Sequence, residues 1–195
     1  MTNKTGDVVL RHKLPDRIFH WFMAVSILVL MGSAFFPMVG VRFSWLIWHW
    51  PAGIALTLSV IFHLWRVISV HRAADMLITT ADIKEVLPPI GRGPESKFNL
   101  AQKSYHLGVA TMVLVLCITG ILMLAKIDTF LWGRNPSILS DANWGIVYVL
   151  HGLSSLVILF LTIVHIYFGL VPHHREYLTS IILGNGPKFA RKHKT

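Results

Sequence analysis

Apolar residues in this chain fall in long unbroken stretches, not in the alternation of a half-buried strand or the stripe of a surface helix. Charged side chains leave 24 residues free between Arg17 and Arg42, 23 between Arg42 and Arg66, 22 between Lys103 and Lys126, and 33 between Asp141 and Arg175. Each gap holds the roughly 20 apolar residues that carry an α-helix through a bilayer. The pattern predicts four membrane-spanning helices at about 18–38, 46–68, 105–125 and 146–170. In lipid every backbone N–H and C=O must be satisfied internally, so such spans are helical and the fold class is all-α, an integral membrane four-helix bundle. Residues 1–195 read as a single transmembrane domain.

The segments between the spans differ in character. The one from about 69 to 104 contains HRAADMLITTADIKEVLPPIGRGPESKFNLAQK, polar enough for water, with a short helix expected at 74–87 and stopped by Pro88 and Pro89. The one between the third and fourth spans, KIDTFLWGRNPSILSDANW, carries Phe130, Leu131, Trp132 and Trp144 among few charges. That composition suits an interfacial aromatic belt or a contact surface for another subunit.

Charge sets the orientation. Lys and Arg number four in residues 1–17, six in 66–103 and five in 171–195, against three in the two opposite loops, at Arg42, Lys126 and Arg134. This bias places both termini and the 69–104 loop on the cytoplasmic side of a bacterial or archaeal inner membrane. It also accounts for the net charge of +9 without nucleic acid, through topology and attraction to anionic lipid. With 54% hydrophobic and 14% charged residues, a water-soluble enzyme is excluded. Cys117 is the only cysteine, which excludes an intrachain disulfide and a self-contained iron–sulfur site. No removable signal peptide is expected from the start of the chain.

Histidine changes the picture most. Eleven are many for so apolar a chain, and His20, His49, His63, His106, His151 and His165 fall inside or at the ends of the spans. Ionisable groups in a membrane are costly unless they pair or bind something. His49 to His63 and His151 to His165 are both 14 residues. On a helix that is about 21 Å of rise and a return to within about 40° of the same face, so one helix presents imidazoles at two depths. Imidazoles from facing helices suit the two axial positions of a haem iron, and two layers make an electron path. Gly53, Gly152 and Gly169 lie beside or four residues from these histidines, where a missing side chain lets a macrocycle approach the backbone. Arg17, Arg66 and Arg72 near the cytoplasmic edge are suited to haem propionates or to plain anchoring. The residues favour a di-haem b-type protein over a haem-free proton or metal transporter and over a structural anchor.

RIFHW at Arg17–Trp21, HWPAG at His49–Gly53 running on to Arg66, KFNLAQK at Lys97–Lys103, and HG at His151 with His165 make the chain resemble a family. It is the cytochrome b, or gamma, subunit of membrane-bound respiratory formate dehydrogenase, related more loosely to the membrane cytochromes b of nickel–iron hydrogenase and thiosulfate reductase. The resemblance covers nearly the whole chain. It implies two haem b groups, with His49 and His151 ligating the iron on the non-cytoplasmic side and His20 and His165 the iron on the cytoplasmic side. His63 departs from the pattern, and a scheme with both pairs on two helices would join His63 to His165. The resemblance also implies a quinone site near the cytoplasmic haem from Asn99 and Gln102, with His106 and Lys103 on the proton route. The partners it implies are an iron–sulfur subunit and a molybdenum or tungsten pterin catalytic subunit. The implied role is electron transfer from the former to quinone. The alternative is a quinol-oxidising cytochrome b of a thiosulfate-type reductase.

Overall fold

A computed structural model of the chain describes residues 8–10, 12–69, 77–80, 82–83, 100–171 and 175–187. Its four long helices are α1 (Leu14–Met38), α2 (Leu46–Ser69), α3 (Leu100–Leu124) and α4 (Asp141–Leu170), joined by a short helix α5 (Arg175–Leu183) and two three-residue strands, β1 (Val8–Leu10) and β2 (Asn185–Pro187). At 24 to 30 residues each long helix exceeds the hydrocarbon thickness of a bilayer. All four are apolar enough to cross it.

Three of the helices, α1, α3 and α4, begin earlier than the apolar stretches because polar starting signals lie just outside them. In α1 these are Pro15 and Asp16 in the first turn. At α4, Ser140 caps the start: its Oγ accepts from the Asn143 N–H at 3.4 Å and its carbonyl takes the Trp144 N–H at 2.9 Å. The end of α1 is equally definite. Gly40 N–H donates to the Pro37 carbonyl at 3.1 Å and Val41 N–H to the Phe36 carbonyl at 3.0 Å, a Schellman closure with Gly40 at φ +92°. A side chain in that left-handed conformation costs about 1–2 kcal/mol, which is why glycine ends the helix.

The chain divides into two compact units. Residues 26–159 form the larger, in which α2 packs on α3. Its buried positions include Ser26, Ser33, Ser59, Thr119 and Ser154, while Leu58, Ile118, Leu153 and many other large apolar side chains are exposed. Small and hydroxylic groups inside with bulky apolar ones outside is the arrangement of helices that meet in lipid, where close backbone approach replaces the hydrophobic drive. The loop ahead of α4 secures itself: Trp132 Nε1 donates to the Leu124 carbonyl at 2.9 Å and Trp144 Nε1 to the Pro136 carbonyl at 2.8 Å. Lys126 Nζ sits 4.7 Å from the Trp144 ring centroid. Trp144 is therefore 2% exposed and unavailable to a partner, while Phe130 is 86% exposed.

Ahead of α3, Lys103 anchors part of the preceding loop. Its ammonium donates to both Asp82 carboxylate oxygens, at 2.9 and 3.0 Å, and to the Leu77 carbonyl at 3.2 Å, with both side chains buried. Asp82 also accepts from the Thr79 N–H and hydroxyl, each at 2.7 Å, which starts a helical turn there. Of the helix expected at 74–87, residues 77–79 are not helical while 80 and 82–83 are, because the Thr79 cap sets the start there; 74–76, 81 and 84–87 lie outside the described residues. The Thr79 N–H, then Lys103, hold the Asp82 carboxyl down to about 2, below its ordinary 3.8. A lowered carboxylate stabilises the fold above its unfolded pKa and loses that contribution as pH falls through the folded one. The anchor therefore holds above pH 4 and releases between about 4 and 2. A carbon-detected NMR titration of the detergent-extracted chain is expected to find Asp82 still ionised at pH 3, and Lys103→Met is expected to move its midpoint upward. A midpoint near 4 in the unaltered chain would contradict the contact.

The second unit joins residues 1–25 to 160–195. β1 and β2 pair antiparallel, Val9 opposite Gly186, so the two end segments of the chain lie side by side. Arg17 Nε donates to the Ile181 carbonyl at 3.2 Å and its Nη2 to the Ile182 carbonyl, covering the open C-terminus of α5. Gly184 follows at φ +87°, and a Cβ there would lie 2.9 Å from Arg17 Nη1 and 3.2 Å from the His12 carbonyl oxygen. The fold remains all-α, and the two short strands carry no periodic signal in three residues each. Their pairing follows from the turn at Gly184, whose N–H is held by Ser180 and whose carbonyl takes the His12 N–H.

Candidate functional site

In the larger unit α2 and α4 bring His49 and His151 together, with ring centroids 6.4 Å apart. Each ring is held from behind by a hydroxyl. Ser33 Oγ on α1 lies 2.9 Å from His49 Nδ1, and Thr119 Oγ1 on α3 lies 2.8 Å from His151 Nδ1. Four helices thus contribute to one pair. Trp45 stands edge-on to His49 at 5.8 Å, and Gly120 brings the α3 backbone close to His151, where a Cβ would touch Cε1 at 3.5 Å. A Cβ on Gly53 would meet Leu30 Cδ2 at 3.9 Å, and one on Gly152 would meet nothing within 4 Å.

In the other unit α1 and α4 bring His20 and His165 to a centroid separation of 6.3 Å. Trp21 stands edge-on to His20 at 5.4 Å. His20 Nδ1 is buried with no hydrogen-bond partner, while His165 is an exposed position.

The two separations are chemically informative. A direct hydrogen bond of about 2.9 Å between ring nitrogens places two imidazole centroids roughly 5.1 Å apart. A metal between them, bound at about 2.0 Å by nitrogens about 1.1 Å from each centroid, places them about 6.2 Å apart. Both pairs match the second spacing. Among the described residues no group of three or more His, Cys, Asp and Glu gathers. Two imidazoles without further protein ligands suit a metal whose remaining positions a macrocycle fills. The residues present therefore fit haem, and a buried polar atom lacking a partner, as at His20, is the kind of group that an added ligand satisfies.

The remaining sequence candidates are less concentrated. His63 is half-buried on α2. Gln102 and His106 are exposed, four residues apart on one face at the start of α3. Asn99 and Arg72 lie outside the described residues. Lys103 is taken up by Asp82, and Arg17 by the end of α5, so neither is a spare cation. Ser33 and Thr119 are the contributors that sequence reasoning misses. The spans hold several hydroxyls, and Thr57, Ser59 and Thr111 also bond back to their own helix, so composition does not single out the two that reach a histidine.

Four apolar spans define a multi-pass helical membrane protein, and the family its residues match is that of an electron-carrying cytochrome b. Residues 11–184 match prokaryotic cytochrome b561. The chain belongs to that family, related to hydrogenase-type cytochromes b, and is a multi-pass protein of a prokaryotic inner membrane. No curated protein matches it.

Proposed function

We propose that this chain is the di-haem cytochrome b subunit of a respiratory oxidoreductase, most specifically of a membrane-bound formate dehydrogenase. It carries electrons from an iron–sulfur partner to quinone. The observation that supports this reading best is the pair of imidazole couples at 6.3 and 6.4 Å, a spacing that admits one metal ion in each. His49 and His151 hold one haem iron, and His20 and His165 the other. Haem with two imidazole ligands supplies a one-electron centre with no open coordination position. The chain's own work is to fix those imidazoles, keep them from water, and place a quinone. We assign the cytoplasmic haem to His20 over His63 because the ring neighbouring His165 is that of His20.

The Lys and Arg bias puts the termini and the loop before α3 in the cytoplasm. Gln102 and His106, exposed on one face there, together with Asn99, form the quinone site. Uptake of protons for quinone reduction on that side, with the donor oxidised outside, separates charge across the membrane. The chain has one cysteine, so iron–sulfur clusters and the molybdenum or tungsten pterin belong to partner subunits. The exposed Phe130 and Leu131 on the opposite side are their contact candidates.

The test is haem content of the purified chain by pyridine haemochrome, paired with a dithionite-reduced minus oxidised spectrum. Two haem b per 22.0 kDa chain are expected. A folded, membrane-extracted chain without haem overturns the reading in favour of proton or metal transport.

A further inference from the structure

Ser33 and Thr119 are 3% and 4% exposed, on different helices, and each bonds at once to its own helix and to a histidine. Ser33 Oγ donates its one proton to the Leu30 carbonyl at 3.0 Å, one turn back on its own helix, and meets His49 Nδ1 at 2.9 Å. Thr119 Oγ1 donates to the Val115 carbonyl at 2.6 Å and meets His151 Nδ1 at 2.8 Å. A hydroxyl has one proton to give and two lone pairs with which to accept. Since each proton is committed to a helix carbonyl, each hydroxyl can only accept from the imidazole. With the hydroxyl protons on those carbonyls, Nδ1 is the donor in both histidines and Nε2 keeps its lone pair.

We infer that Ser33 and Thr119 are positioning residues that lock His49 and His151 into the Nδ1–H tautomer, making both Nε2 atoms the ligating atoms and raising their electron donation to the metal. The inference rests on the haem-binding reading of this pair. It adds which atoms bind and what sets their basicity. An acceptor behind a ligating imidazole fixes ring orientation and strengthens the ligand. A carboxylate is the stronger acceptor, but a charge at this depth is costly, whereas a hydroxyl already bonded to its own helix is not. Ser33 and Thr119 meet the rings of the His49–His151 couple, so loss of either hydroxyl should be felt at that haem only.

The experiment uses the full chain as purified, with Ser33→Ala, Thr119→Val and the conservative pair Ser33→Thr and Thr119→Ser. Redox titration and low-temperature EPR read the two haems separately. In the alanine and valine variants two haems per chain are expected. One midpoint potential should rise, because a weaker donor favours the ferrous state, and one low-spin signal should move while the other stays. The conservative variants should restore both. Unmoved potentials and signals in Ser33→Ala and Thr119→Val overturn the inference, as does an equal change in the conservative variants. Nitrogen-15 NMR of the dithionite-reduced, diamagnetic chain reads the tautomer independently, and a proton on Nε2 of His49 or His151 overturns it as well. Absence of haem from the unaltered chain instead sinks the haem reading, and the same spectrum still reports the tautomer.

Discussion

His20→Ala is expected to leave the purified chain with one haem b in place of two, while His63→Ala keeps both. The ground is the ring separation of 6.3 Å between His20 and His165, at which one metal fits between two imidazoles, and the buried Nδ1 of His20 that has no hydrogen-bond partner. Alanine removes one of two axial bonds, and a single imidazole in lipid retains haem poorly or leaves an open position that shows as a high-spin signal. Haem content per chain, with the spectrum of the oxidised state, measures the outcome. Two haems with unchanged low-spin spectra in His20→Ala, and one haem in His63→Ala, would transfer the ligand to α2.

His49→Ala and His151→Ala should each remove the other haem and leave the His20–His165 haem spectrally intact. This couple is tightly built. Its two rings are backed by hydroxyls on two further helices, and its surroundings include Trp45 and the close backbone of Gly120. The double variant His49→Ala/His151→Ala should cost no more haem than either single one, because two ligands that act as a unit are lost together. Additive loss, with the double variant falling to zero, would mean that the two histidines serve different sites.

The selective response is also what separates electron transfer from a histidine proton relay. A relay degrades by steps as imidazoles are removed, and its members have no reason to fall into two independent couples. A di-haem chain loses redox centres in whole numbers.

Some of this protein was legible in the residues alone. The four spans follow from the length of uncharged stretches, because the cost of a charge in hydrocarbon is local and adds up along the chain. The helix starts were displaced by four or five residues at α1, α3 and α4, since polar starting residues such as Asp16, Gln102 and Asp141 belong to the helix while lying outside the apolar run. Aromatic residues of one loop looked equivalent, yet Trp144 is buried beneath Lys126 and Phe130 projects. Side-chain hydrogen bonds to particular carbonyls made that difference, and no composition reports them.

The sequence by itself determined the membrane class, the charge bias and the 14-residue spacing of histidines, all of which are sums or periods along one helix. Which imidazoles face each other was open between His20 and His63, because helical periodicity states the face of a residue and not the neighbour that face meets. Tertiary structure brought His20 beside His165 and His49 beside His151. It also committed Arg17 to the end of α5, Lys103 to Asp82, and the hydroxyls of Ser33 and Thr119 to two ring nitrogens. A hydrogen bond forms only within about 3 Å and over a narrow range of angles, so it depends on how helices far apart in sequence are rotated against one another, which no local pattern encodes.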